Sequence, residues 1–160
     1  YSPMVLLSGD VFYDAPVGQK GAAVSVYGNL AYYNLGDNYL RSSGAMNPAN
    51  GNNNTSILNG AGNAYPNVGT GMIYYVQAGY KLKDNLIGKT TFLPYVSWQY
   101  ANFERLKHSM SFVDAGVSWL LPSHISKLSV AYQNRPVYQT DGNQMDRKGG
   151  FVVQYQVYFN

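Results

Sequence analysis

The sequence predicts an all-β chain of long antiparallel strands, of the kind that makes the wall of a transmembrane barrel, on three observations. Apolar and polar residues alternate with a period of two over runs of about 10 to 13 residues. Charged residues make up 12% of the chain and aromatic residues 15%, sixteen of them Tyr. The connections between the runs are of alternating length. A soluble domain keeps about a quarter of its residues charged to hold its outside in water. Here Tyr, Asn, Gln, Ser and Gly take that place, as suits a wall with lipid on one side and water on the other.

About seven runs can be read in order. The first, 4–14, sets Val5, Leu7, Val11 and Tyr13 opposite Ser8, Asp10 and Asp14. The second, 22–34, sets Val24, Val26, Leu30 and Tyr32 opposite Ser25, Tyr27, Asn29 and Tyr33. In the third, 71–82, Met72, Tyr74, Val76, Ala78, Tyr80 and Leu82 oppose Tyr75, Gln77, Gly79 and Lys81. The fourth covers 92–103, and the fifth, 111–121, sets Val113, Ala115, Val117, Trp119 and Leu121 against Asp114, Gly116 and Ser118. The sixth covers 127–136. The seventh, 149–159, puts Phe151, Val153, Tyr155, Val157 and Phe159 on one face and Gln154 and Gln156 on the other. These lengths exceed the mode of about 5–6 residues in soluble sheets and match the ~9–11 tilted residues that cross a bilayer. Aromatics gather toward run ends, at Tyr13, Tyr32, Tyr74, Tyr80, Phe92, Trp119, Phe151 and Phe159, where headgroup depth favours amphipathic rings.

Short connections fall at 15–21, 83–91 and 122–126, longer ones at 35–70 and 137–148, and one of intermediate length at 104–110. Outer-membrane barrels have short periplasmic turns and longer outer loops, an even strand number and periplasmic termini. With the last strand ending at the periplasmic side, the first runs inward from outside. Seven strands on that count imply further strands upstream, whereas a count of eight would make a small complete barrel. Alternation by itself also fits a soluble sandwich or ligand-binding barrel. The chain reads as one domain, 1–160, with a long outer loop over 35–70.

The net charge of +3, with no dense basic run, gives no reason to expect nucleic acid. Cysteine is absent, which excludes disulfides, thiolate metal sites and thiol nucleophiles. No apolar stretch reaches the ~18 residues of a spanning helix. The two histidines, His108 and His124, fall at opposite ends of the strands, so no nucleophile–base pair is expected and the chain does not read as an enzyme. Asp37 and the Asp141–Gly142–Asn143 segment read as turn chemistry, and no metal or cofactor is expected.

The segments GDVFYDAPVG (9–18), GNAYPNVGTG (62–71), QAGYKL (77–82), LPYVSWQYANFERL (93–106), VDAGVSWLL (113–121), KLSVAYQNRPVY (127–138) and DRKGGFVVQYQVYF (146–159) form an ordered series. It resembles the C-terminal part of outer-membrane porins of the phosphate-selective porin O and P superfamily. The likeness covers nearly the whole chain outside the Asn/Gly-rich loop and lies in the order of segments, with no single specific motif. It implies about seven C-terminal strands of a multi-pass barrel of roughly 14–18 strands in the bacterial outer membrane. It also implies passive diffusion of small hydrophilic solutes or ions, and assembly as a homotrimer or within a larger envelope complex. Tyr155 and Phe159 resemble the terminal aromatic signal read by the barrel-assembly machinery, although Asn160 follows Phe159. Anion-selective members carry ladders of inward Arg and Lys. This chain offers chiefly Lys81 and Arg135, so selectivity for phosphate does not follow.

The expected pore-lining residues are Asp10, Lys81, Asp114 and Arg135, with Gln77, Gln99, Gln133, Gln154 and Gln156 as neutral lining. The same charges also fit a bracing role, paired across strands. Within the loop, Asn47, Asn50, Asn52, Asn53 and Asn54 belong to a stretch that either folds inward and narrows the pore or covers the outer surface. The alternative to a channel is a non-conducting barrel that serves as a structural or binding subunit of an envelope complex.

Overall fold

The period-two runs fold as long strands because each can hydrogen-bond to a neighbour on either side while sending its two sets of side chains to opposite faces. The structure, a computed structural model, describes residues 4–18, 20–42, 65–122, 126–138 and 143–158. Its strands are β1 (Val5–Pro16), β2 (Ala23–Asn34), β3 (Leu40–Ser42), β4 (Pro66–Gly69), β5 (Gly71–Lys81), β6 (Thr91–Phe103), β7 (Met110–Leu120), β8 (Ser126–Tyr138) and β9 (Gln144–Val157). The fold is all-β and antiparallel. One seven-stranded meander runs in the order β1-β2-β5-β6-β7-β8-β9, and it is open, with β1 and β9 at its edges. A second, two-stranded sheet pairs β3 with β4.

Two differences from the sequence reading have physical causes. The stretch 35–70 carries the β3–β4 pair as well as loop, and its ends are tied together. The Thr70 hydroxyl donates to the Gly36 carbonyl at 2.6 Å and accepts from the Leu35 N–H at 3.1 Å. The Thr70 N–H donates to the Tyr39 carbonyl at 3.0 Å. β5 then starts at Gly71, whose φ of 143° suits glycine. A β-carbon there would also press on the Asn102 carbonyl.

The last strand begins at Gln144, five residues before the apolar alternation starts at 149, because β8 also continues to Tyr138. Arg135, Pro136 and Val137 pair with Lys148, Arg147 and Asp146, and a bulge precedes the Tyr138–Gln144 pair. Arg147 secures this end. Its guanidinium donates to the Asn134 side chain and, at 3.0 Å, to the Ser111 carbonyl, so one side chain joins β9, β8 and β7.

Pro94 stands inside a central strand, where it has no N–H to give. The β5–β6 ladder accordingly stops at the Gly79–Tyr95 pair, and contact resumes with the Leu82 N–H donating to the Phe92 carbonyl at 2.9 Å. At the short-turn end, the Asp84 N–H donates to the Lys20 carbonyl at 2.9 Å, linking two turns, and Lys81 pairs with Asp84 at 2.8 Å.

The buried apolar cluster is small and local. Ala31, Ile73, Ala101, Phe103 and Met110 meet Leu40 of β3, with Leu106 and Tyr138, and Tyr33 and Tyr65 pack on it. It closes the end of the sheet from which the 35–70 stretch emerges.

Candidate functional site: the two faces of the sheet

The strand register divides the sheet into an apolar face and a polar face, and the two are shielded in the opposite sense to a water-soluble protein. On the apolar face, Val26 pairs with Ala78, Ala78 with Val96, Val96 with Ala115 and Ala115 with Tyr132. Pro94, Val117, Val130 and Val153 form another such row. These side chains lie open: Val117 is 42% exposed and Val153, on the edge strand, 66%. Val11, Leu30, Val76, Trp98 and Phe151 are likewise exposed. Burying each large apolar side chain is worth roughly 1.5–3 kcal/mol. An apolar patch of this extent marks a surface that meets something other than water.

Aromatics bound this face. Tyr74 and Tyr100 lie toward the long-loop end with Trp98 one row in, and Phe92 and Trp119 toward the short turns with Tyr80 one row in. The row between, Ala78, Val96 and Ala115, continues into the aromatic pair Tyr132 and Phe151. Tyr74 and Tyr80 are six positions apart, about 20 Å along a strand. Phe92 and Trp119 stack at 5.6 Å, and Tyr100 leans on both Tyr74 and Trp98. Past the upper aromatics the face turns polar at Asn102, Ser111, Asn134 and Arg147. The Trp98 indole N–H donates to the Ser111 hydroxyl at 2.9 Å at that border.

On the other face, one cross-strand row reads Phe12, Tyr27, Gln77, Ser97, Asp114, Gln133 and Gly150. All nine residues expected to line a pore fall on this face. Asp10 lies opposite Asn29, which donates to the Ser8 hydroxyl at 2.9 Å. Gln99 stands between Tyr75 and Phe112. Gln154 and Gln156 lie opposite Ser129 and Lys127. Lys81 sits at the short-turn end with Asp84, and Arg135 is only 8% exposed near the long-loop end. Ser97 is 7% exposed, and Ser118 and Ser129 share a buried hydrogen bond of 2.8 Å. Over the middle strands the polar face is therefore the more shielded one, whereas Asp10 and Gln154, on the edge strands, are exposed.

Asp114 is the focus of the middle of this face. Its Oδ2 accepts from the Gln133 amide at 2.7 Å, and the Tyr95 hydroxyl is turned toward the carboxylate. Its Oδ1 is shielded from solvent and has no hydrogen-bond partner among the described residues. Beside it the Tyr75 hydroxyl donates to Gln77 Oε1 at 2.7 Å, and Tyr27 leans on Tyr75 at 6.0 Å.

Tyr65 completes the group and was not singled out from the sequence. It comes from the far end of the 35–70 stretch and lies flat on Phe112, ring centroids 4.2 Å apart. Burial pushes its phenol up from the ordinary value, and Tyr75 and Asp114 add to the effect. The signal available beforehand was a lone aromatic preceding Pro66 in an Asn/Gly-rich segment.

Tyr155 lies on the apolar face, opposite Leu128. Asn47, Asn50, Asn52, Asn53, Asn54 and Phe159 lie outside the described residues. No group of three or more His, Asp or Glu side chains suited to a metal ion gathers among the described residues. Comparison of the chain with known protein families, with curated proteins and with solved structures finds no match.

Proposed function

We propose that this sheet is part of the wall of a bacterial outer-membrane β-barrel through which small hydrophilic solutes or ions pass passively. One observation carries the reading: large apolar side chains stand uncovered on one face, while Ser97, Ser118, Ser129 and Arg135 are buried on the other and Asp114, Gln77, Gln99 and Gln133 are partly shielded there. Hydrocarbon against the first face and water behind the second satisfies both. Aromatic side chains toward both ends of the apolar rows are of the kind that outer-membrane barrels place at headgroup depth.

Free strand edges do not persist in hydrocarbon. With seven strands in antiparallel succession, β1 and β9 run in the same direction. Antiparallel closure then takes an odd number of further strands, in keeping with a larger barrel. Asp10, Asp114, Lys81 and Arg135 would set the potential met by ions, and the glutamines would wet the lumen. Outer-membrane lipid and the barrel-assembly machinery follow as partners, with a homotrimer or larger envelope complex as the assembly.

A second reading is a non-conducting barrel with a structural or binding role. It is favoured by Tyr65, which lies over the polar face against Phe112. Planar-bilayer recording on the intact protein separates the two. Stable open steps support the channel, and insertion without steps supports the non-conducting barrel.

A further inference from the structure

The chemistry in the middle of the polar face names a class of solute. Tyr65, Tyr75, Gln77, Tyr95, Asp114 and Gln133 come from β5, β6, β7, β8 and the segment before β4, and they converge there. The group offers flat aromatic surfaces, phenol hydroxyls, carboxamides and a single carboxylate. The basic side chains that the strand register puts on this face are Lys81, held by Asp84 at 2.8 Å, Arg135, 8% exposed, Lys148 opposite it, and Lys127 opposite Gln156, and none of them belongs to the group. An anion placed beside Asp114 is repelled by its carboxylate. A neutral polyhydroxylated solute meets a fit. Its C–H faces lie against tyrosine rings, and its hydroxyls both donate and accept, as carboxamides and phenols require.

A shielded acceptor with no donor is costly, about 1–3 kcal/mol, and marks a place where a donor belongs. Asp114 Oδ1 is such an acceptor. A solute hydroxyl at this carboxylate would supply the missing donor beside the Tyr95 hydroxyl, which already bonds to Asp114.

Resting on the channel reading above, we propose that the Asp114–tyrosine cluster is a binding subsite for neutral carbohydrate-like polyols. The test uses the intact protein in planar bilayers, with maltotriose, a polyethylene glycol of equal mass and inorganic phosphate added in turn. Maltotriose gives a saturable block of the current, and the glycol and phosphate do not. Tyr75→Phe, which removes one hydroxyl, and Asp114→Asn each raise the half-blocking concentration, the latter by about tenfold, the scale set by one charge-assisted hydrogen bond. Maltotriose blocking no better than the glycol, or block unaltered in both variants, overturns the subsite. If no current steps appear, the channel reading has failed, and calorimetric titration of the detergent-solubilised protein with maltotriose decides the subsite separately. Saturable heat that is weakened in Asp114→Asn supports it, and the absence of heat overturns it.

Discussion

Gly116 faces Ala131 across the β7–β8 pair so closely that a β-carbon on Gly116 would stand 2.8 Å from the Ala131 β-carbon and 2.6 Å from the Val130 carbonyl oxygen. Backbone is the obstacle, so the neighbours have little room to give. Gly116→Ala is expected to destabilise the sheet by about 1–3 kcal/mol, the usual cost of overpacking. Gly9, on the apolar face, has nothing within 4 Å of the same position. Gly9→Ala should change stability by no more than about 0.5 kcal/mol. Urea unfolding of the two variants in lipid vesicles checks the contrast, and equal losses would contradict the register.

Tyr65 should leave the polar face as its phenol ionises. Its value is raised in the docked state, chiefly by burial, so the docked state holds the proton more tightly than the free one. Docking is then fully stabilised below the free tyrosine value of about 10 and is lost as pH rises through the raised value. Hydrogen exchange at 67–69, followed across that range, should accelerate in the wild type. In Tyr65→Phe, which keeps the ring and cannot ionise, the same exchange should lack this added step. In the channel reading, Tyr65→Ala should also raise single-channel conductance.

Charge placed on the two faces should have unequal consequences. Val117→Arg puts a guanidinium on the apolar face and should cost about 2–4 kcal/mol if Val117 sits at mid-bilayer. Gln133→Arg puts the same group on the polar face beside Asp114 and should cost less than about 1 kcal/mol. Reversible folding into vesicles measures both. A larger loss for Gln133→Arg would place lipid on the wrong face.

The double variant Asp10→Asn, Asp114→Asn removes two carboxylates from the polar face. In a salt gradient the reversal potential of the intact channel should move toward anions. An unchanged potential would leave these residues as braces of the wall, without influence on permeation.

Much of the architecture could be read from the alternation. The seven long strands stand close to the runs read from the sequence, and the two sets of side chains separate by face as the period of two requires. The nine polar candidates fall on one face for the same reason, because a period of two admits no intermediate position. Less was legible where another constraint took over. Asp146, Arg147 and Lys148 break the apolar alternation yet belong to β9, because that part of the strand lies at the polar rim, where Arg147 bonds to Asn134 and Ser111. β3 and β4 are too short for a period to show, and their pairing depends on contacts with the sheet end, through Leu40 and Thr70. Tyr65 was hidden for a related reason. Its role is set by Phe112, 47 positions along the chain, which no local pattern around Tyr65 reveals.

The chain supplies its own probes for the central claim, since its two tryptophans, Trp98 and Trp119, both stand on the apolar face near its aromatic borders. The most direct measurement is fluorescence quenching of the intact protein in vesicles, comparing lipids brominated along the acyl chain with aqueous iodide. Strong quenching of the tryptophan emission by brominated lipid, with weak quenching by iodide, is the expected result. Iodide quenching both tryptophans while brominated lipid leaves them bright would contradict a lipid-facing apolar wall.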